Sequence, residues 1–403
     1  LGRKFNLYTA KFRKEDANPD EKEGLWEFGH LEEWPDSWID ILFSRYAIAD
    51  VEYKHKYIKE EDRKKAVYDS LKLLLTNQNW HPLSSYSIVK ERKKTIVESQ
   101  DHYPIISIEE ESTINGKKTK WKKIYQPKNK DKKFRFMYYN GGDRYFLHGL
   151  VQLRAKVEKL RDQKQKEAKS NDDTSFQREK IKLENVFFST GGSDAINKAA
   201  IGFECVYGTS EYFKLSSSVL KELRSLAHNI CTCPDLDYTG QRENLALCFT
   251  STSTNYLDIK TVDLPVELQY KTDQYLRKCK DVRDYLNYFN ASSFRNLVKM
   301  AKPMRFWDSH QALDRDGNAR FKFGRPVYEY KISIERMLNF LIKNGFGRYE
   351  TMPDFIEYIH VKGSVVSIVK PEQIKSFVIN FLRQWYMEEG LIDTVHKSPI
   401  LSD

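Results

Sequence analysis

The chain is predicted to be an α/β protein: a parallel sheet at the core, an N-terminal α+β subdomain before it and a small C-terminal α/β module after it. Three observations carry this expectation. Between Val186 and Gly240 two buried-looking strands each end in a polar feature, the first at Ser189-Thr-Gly-Gly-Ser-Asp194 and the second at Asp235-Leu-Asp237. From about Ile181 to Leu297 strand-like and helix-like segments alternate, as a parallel sheet requires. Ahead of this, from Pro104 to Leu150, short alternating runs are separated by Asn-Gly and Gly-Gly turns, the signature of antiparallel strands.

The expected divisions are 1–150, a helical and small-sheet subdomain; 151–180, a connecting helix and loop; 181–300, the core; 301–326, a linker; and 327–403, the C-terminal module. Residues 1 to about 100 read as mostly helical and irregular, with apolar residues at helical spacing from Trp38 to Asp50. The small sheet is expected from Ile105-Ile-Ser-Ile, Lys120 to Tyr125, Phe134 to Tyr139 and Tyr145 to Leu150. Leu150, Leu153, Val157 and Leu160 form one face of an otherwise charged helix, which the polar run Ser170 to Ser175 ends. Leu257 to Pro265 reads as a further core strand. The polar stretch Asp308 to Pro326 reads as a linker. In the last module a helix around Ile332 to Leu341 stops at Asn344-Gly345, and strands near Phe355 and Gly363 precede a helix from Pro371 to about Met387.

Composition narrows the classes of function. With 403 residues, 40% hydrophobic and 13% aromatic, the chain can bury two or three cores. A formal net charge of +10 points to an anionic partner, most simply nucleic acid. The longest apolar runs fall far short of a membrane span, so no membrane association is expected and the chain reads as cytoplasmic. Cys205, Cys231, Cys233, Cys248 and Cys279 are odd in number and lack paired spacing, which argues against a disulfide framework or a zinc ribbon; they read as small buried hydrophobes. Between Lys117 and Arg135 ten cations, among them Lys120, Lys122, Lys123, Lys132, Lys133 and Arg135, are interleaved with Trp121, Tyr125 and Phe134. Alternation on strands puts cations on one face and aromatics on the other, and phosphate attraction would supply most of the affinity for a nucleic acid.

Asp235 and Asp237 leave the end of a strand, the edge of an α/β sheet where ligands bind, and a paired Asp-x-Asp suits a divalent ion. The set Gly191, Asp194, Ala195, then Asp235, Asp237, Gly240, then Lys280-Asp-Val-Arg-Asp284 resembles, in order, the Toprim domain of DNA primases, topoisomerases and related nucleases. In that family a strand ends in Glu-Gly-x-x-Asp-Ala, a later one in Asp-x-Asp-x-x-Gly, and a Lys-Asp-x-x-Asp element follows. The resemblance implies a Toprim-type core behind a primase subdomain, with Asp235, Asp237 and Asp194 as catalytic residues. It further implies Mg2+ or Mn2+ held by Asp235 and Asp237 with Asp281 or Asp284 as outer ligands, and backbone N–H groups at Gly191 and Gly192 facing phosphate. One position departs from the family: its Glu is replaced by Thr190 or Gly192, and no Glu lies between Glu184 and Glu204.

The implied function is the primase portion of a phage- or plasmid-type primase-helicase of a mobile element, joining nucleoside triphosphates on a single-stranded DNA template in a bacterial or phage-infected cell. The last module is similar to the one joining primase to helicase. No Walker sequence occurs, so the motor is expected beyond Asp403 or as a separate subunit, with a hexamer formed through it. Two alternatives stay open: a catalytically degenerate DNA-binding or helicase-loading module, and a Toprim nuclease.

Overall fold

The computed structural model describes residues 10–43, 56–114, 117–139, 147–171, 174–189, 191–209, 215–255, 257–273, 276–352, 355–385 and 387–398. Thr190, Asn115-Gly116, Asn140-Gly-Gly142, Tyr145-Phe146, Ser44 to Asp50 and Asp403, all used in the expectations above, lie outside them. The side chains of Lys117, Lys118 and Lys132 lie outside them too. The chain forms two compact units, residues 1–241 with 262–300 and residues 242–261 with 301–403.

The first unit opens with a seven-stranded antiparallel sheet. Its strands are β1 (Lys11–Asp16), β2 (Trp26–His30), β3 (Trp80–Lys90), β4 (Lys93–Glu98), β5 (Ile106–Ile114), β6 (Lys117–Tyr125) and β7 (Phe136–Tyr139). Their order is β1-β4-β3-β5-β6-β7, with β2 also on β3. Residues 10–98 therefore carry four strands where helix and irregular chain were expected. The reason is β3: Trp80 to Pro82 pair with β5, while Ser85 to Lys90 pair with β4, so one long strand serves both halves of the sheet. Helices α1 (Asp36–Leu42), α2 (Glu60–Asn77) and the single turn α3 (Lys132–Arg135) accompany this sheet.

Next come β8 (Leu147–His148), α4 (Leu150–Ser170), β9 (Leu183–Ser189), α5 (Gly192–Ala200), β10 (Glu204–Gly208), α6 (Ser217–Leu226) and β11 (Ala227–Thr232). The strand β9 pairs in parallel with both β10 and β11, and β8 closes the β10 edge antiparallel. Val186, Phe187, Val206, Ile230 and Cys231 are buried, as strands covered on both faces require. This is the expected parallel core. All five cysteines are free and buried, and burial pushes the Cys205 and Cys233 thiols far up.

Helix α7 (Tyr238–Asn255) starts in the first unit and runs into the second, which also holds the two-residue strand β12 (Lys260–Thr261). The strand expected over 257–265 is thus much shorter. Helices α8 (Val282–Tyr288) and α9 (Ala291–Lys299) return to the first unit. The second unit then builds β13 (Lys302–Pro303), β14 (Trp307–Gln311), β15 (Phe321–Lys322), β16 (Arg325–Pro326), β17 (Tyr328–Ile332), α10 (Ile334–Lys343), β18 (Phe346–Met352), β19 (Phe355–Lys362), β20 (Val365–Val369), α11 (Pro371–Gln384) and α12 (Glu389–Lys397). Its core gathers Phe249, Phe306, Trp307, Phe340, Phe381 and Leu382. The stretch 308–326, expected as a linker, is folded: β14 pairs with β17 and β15 with β16. Among the described residues no helix is long and apolar enough to cross a membrane.

Candidate functional site

Four carboxylates meet where β9, β11 and the segment before α8 end. Asp194 lies in the first turn of α5. Asp235 and Asp237 follow β11 by way of Cys233-Pro234, and Asp281 caps α8 by accepting from the Asp284 N–H at 2.8 Å. The ends are tied together: Leu236 N–H donates to the Lys280 carbonyl at 2.9 Å, and Gln241 Nε2 to the Asp235 carbonyl at 2.8 Å. Helix α1 anchors both helices of the site, because Asn197 of α5 donates to the Leu42 carbonyl at 3.1 Å and Arg283 of α8 to the Ile41 carbonyl at 2.6 Å.

Gly240 permits this turn. A Cβ there would sit 2.8 Å from both the Cβ and the carbonyl oxygen of Asp235. Its N–H instead donates to Asp237 Oδ1 at 2.8 Å. Gly191 is extended and has open space on its Cβ side, whereas Gly192 packs beneath Trp80, whose ring lies 2.9 Å from the position of a Cβ. Of the two glycines expected to face phosphate, only Gly191 has an unobstructed flank.

Two lysines, not anticipated as part of the chemistry, neutralise this edge. Lys198, fully buried, pairs with Asp194 one helical turn earlier and donates to Ser189 Oγ at 3.0 Å. Burial opposes its charge, but the neighbouring Asp194 outweighs it and raises the Lys198 pKa. Asp194 Oδ1 is buried and has no hydrogen-bond partner. Lys280 Nζ lies 3.0 Å from Asp235 Oδ2 and also binds Asp237 Oδ2, so one ammonium spans the Asp-x-Asp pair. The spacing that would have revealed Lys198 is the i, i+4 interval from Asp194. Lys280 stood inside a recognised motif, but only the fold brings it 43 positions back onto Asp237.

The electrostatics follow from this arrangement. Burial, then Asp194, push the Asp235 carboxyl up to about 6. Asp281 is raised as well, by burial and by the adjoining Asp284. Burial acts in the same sense on Asp237, but Lys280 and the Gly240 N–H outweigh it and hold that carboxyl below its usual range. Desolvation likewise disfavours the Lys280 cation, yet Asp237 and Asp235 together raise its pKa. Asp284 Oδ2 accepts from the Lys280 N–H at 2.8 Å, which turns it toward the backbone.

These residues do not, as arranged, fit a divalent ion. The gap between Asp235 and Asp237 is filled by an ammonium, and Asp194 is committed to a second one. Among the described residues no three His, Cys, Asp or Glu side chains gather as a cation's shell would.

The basic ribbon divides. Lys122 pairs with Glu109 at 2.7 Å and lies 4.6 Å from the centroid of Phe28. Lys123 is buried, donates to the Thr209 carbonyl at 3.1 Å and lies over Phe136, and burial lowers its pKa to about 8. It shares a face with Trp121 and Tyr125, so cations and aromatics do not segregate as alternation predicted. Lys120 and Lys133 are exposed, and Arg135 reaches the Asn129 carbonyl at 3.4 Å.

Comparison with known proteins finds no matching family model and no matching curated protein. Among solved structures, the chain is similar to a DnaG primase catalytic domain bound to single-stranded DNA, with 11% identity over 54% of this chain and 58% of that one and a TM-score of 0.36. It is similar to a DNA primase domain from Pseudomonas aeruginosa at 14% identity, 57% and 59% coverage, and a TM-score of 0.35. A third is the Aquifex aeolicus primase comprising zinc-binding and RNA polymerase domains, at 12% identity, 85% and 63% coverage, and a TM-score of 0.39. The chain thus spans about three-fifths of the length of each. Superposition this loose leaves the activity to be argued from the chain's own residues.

Proposed function

We propose that the first unit is a degenerate Toprim-type module that binds single-stranded nucleic acid and closes its carboxylate edge with lysine in place of a divalent ion. The single observation that carries this reading is Lys280 spanning Asp235 and Asp237. The ordered motifs at Gly191, Asp194, Asp235, Asp237 and Lys280 support the Toprim type, and the position of the family's Glu holds Thr190 or Gly192. The side chains here position one another and bind charge: Asp194 is paired with Lys198, and Asp235 and Asp237 with Lys280. The net charge of +10 and the cations Lys120, Lys133 and Arg135 supply attraction for a phosphate backbone.

A second reading is metal-dependent primer synthesis by the primase part of a mobile-element primase-helicase, with residues 327–403 as the adaptor to a hexameric motor. The observation favouring it is the exposure of the Lys280 side chain, 44%, which leaves it room to swing out. If Lys280 withdrew, Asp235, Asp237 and Asp194 would be the residues to hold Mg2+ or Mn2+, and the ion would neutralise charge on a transferring phosphate.

The test is a single-stranded DNA titration with chelator or Mg2+, run beside template-directed incorporation of labelled ribonucleotides with Mg2+ or Mn2+. We expect chelator-insensitive binding and no incorporation. Incorporation that disappears in Asp235→Asn/Asp237→Asn establishes the second reading instead, and absence of any DNA binding rejects both.

A further inference from the structure

In the second unit residues 313–326 are all exposed, yet they are folded. Leu313 bridges Ala319 around one turn, and Phe321 and Lys322 pair with Pro326 and Arg325 around a second. Ala312 N–H donates to the Val327 carbonyl and Arg320 N–H to the Ala312 carbonyl, both at 2.8 Å, so the two turns form one small β arm on β14 and β17.

The arm has three features that its own stability does not explain. Its tip is Phe323, 95% exposed, at φ +52° beside Gly324 at φ +73°. That pair of positive values is the tight hairpin turn that favours Asn-Gly, and a bulky L-residue at its first position is disfavoured. Phe321 is also exposed, on the face shared with Pro326. The opposite face carries Lys322 directly across from Arg325, with Arg320 two residues before Lys322. Like charges facing across a strand pair repel. Among the described residues no carboxylate forms an ion pair with Arg320, Lys322 or Arg325.

A ring held in water on a disfavoured backbone, with Lys322 Nζ 5.8 Å from its centroid and, among the described residues, no carboxylate paired with Arg320, Lys322 or Arg325, is the chemistry of a surface whose partner supplies the anion and the apolar plane. We propose that this arm binds single-stranded nucleic acid, with Arg320, Lys322 and Arg325 on phosphates and Phe323 stacked on an unpaired base. Charge complementarity selects a polyanion, and the π-face of the tip selects bases, since stacking of this kind accepts any base. The arm belongs to the second unit and shares with the preceding proposal only the class of ligand.

The variant that isolates the tip is Phe323→Asn. Asn tolerates positive φ, so the hairpin should be at least as stable by thermal melting, while anisotropy with fluorescein-labelled dT20 should show affinity weakened about tenfold. An abasic strand of equal length should bind wild type and Phe323→Asn alike. Arg320→Ala, Lys322→Ala and Arg325→Ala should each reduce the slope of log affinity against log salt by roughly 0.7 on both strands. Wild-type binding that none of these four variants changes overturns the arm and leaves the first unit's binding standing. Equal loss on dT20 and the abasic strand in Phe323→Asn overturns the stacking role. Binding to anionic vesicles that needs Phe323, with dT20 affinity unaffected, assigns the arm to a membrane surface and also overturns the proposal. If wild type binds no dT20, both proposals fall.

Discussion

The two halves of the carboxylate edge are neutralised by the same chemical group in opposite settings. Lys198 reaches Asp194 from within one helix, and its side chain is 0% exposed against 11% for the aspartate. Lys280 reaches Asp235 and Asp237 across the fold, with its side chain 44% exposed. A buried ammonium without its partner would be an uncompensated charge in low dielectric, so Lys198 and Asp194 are fixed elements of the core. The exposed one can exchange its carboxylates for water at little cost. The difference separates structure from function: the Asp194 half holds α5 in place, and the Asp235–Asp237 half is where another cation could compete.

The largest expected effect breaks the buried half. Lys198→Met should destabilise the first unit by about 3–5 kcal/mol in urea unfolding, because Asp194 is left charged and buried. Adding Asp194→Asn to Lys198→Met should recover much of that loss. A cost below about 1 kcal/mol for Lys198→Met would erase the contrast with Lys280.

A smaller effect comes from pH. Asp235 titrates near 6 in the folded chain, against 3.8 for the unfolded group. The folded state therefore holds more protons between these values, and the contribution of this group to stability is full below about pH 4 and declines as pH rises to about 6. Wild type minus Asp235→Asn should show a fall on the order of 2 kcal/mol across that window, with no further change above it. A difference that is flat from pH 4 to 6 would mean that Lys280 compensates Asp235 fully.

The smallest stability change belongs to Lys280→Ala, expected within about 1 kcal/mol at pH 7 because the Lys280 and Asp237 side chains are 44% and 41% exposed. If it costs as much as Lys198→Met, the two halves are alike and Lys280 is not exchangeable.

Much of this was legible in the sequence. The parallel core and the helix from Leu150 to Ser170 follow from the hydrophobic runs and their periodicity, whereas an association of Asp194, Asp235 and Asp281 was implied only by the resemblance of their motifs to the Toprim set. The lysines escaped notice because their role depends on geometry: Lys198 was hidden as one more cation on a helix, and Lys280 acts through a tertiary approach that spacing does not encode. Residues 308–326 read as a linker because every position on the arm faces solvent, which removes the burial pattern that marks a strand. The alternation Arg320-Phe-Lys-Phe323 before Gly324 was the local sign of a hairpin. The N-terminal strands were missed because Trp80 to Lys90 contributes to both halves of one sheet, and its long, mixed burial pattern matches neither a helix nor a simple alternating strand.

The most direct measurement is Mn2+ binding, followed by electron paramagnetic resonance of the free ion, in wild type, Lys280→Ala and Lys280→Ala/Asp235→Asn. The account predicts no specific Mn2+ site in wild type at millimolar ion, one site in Lys280→Ala, and its loss in the double variant. A single site in wild type that Asp235→Asn removes and Lys280→Ala leaves unchanged would contradict the claim that lysine holds the place of the metal.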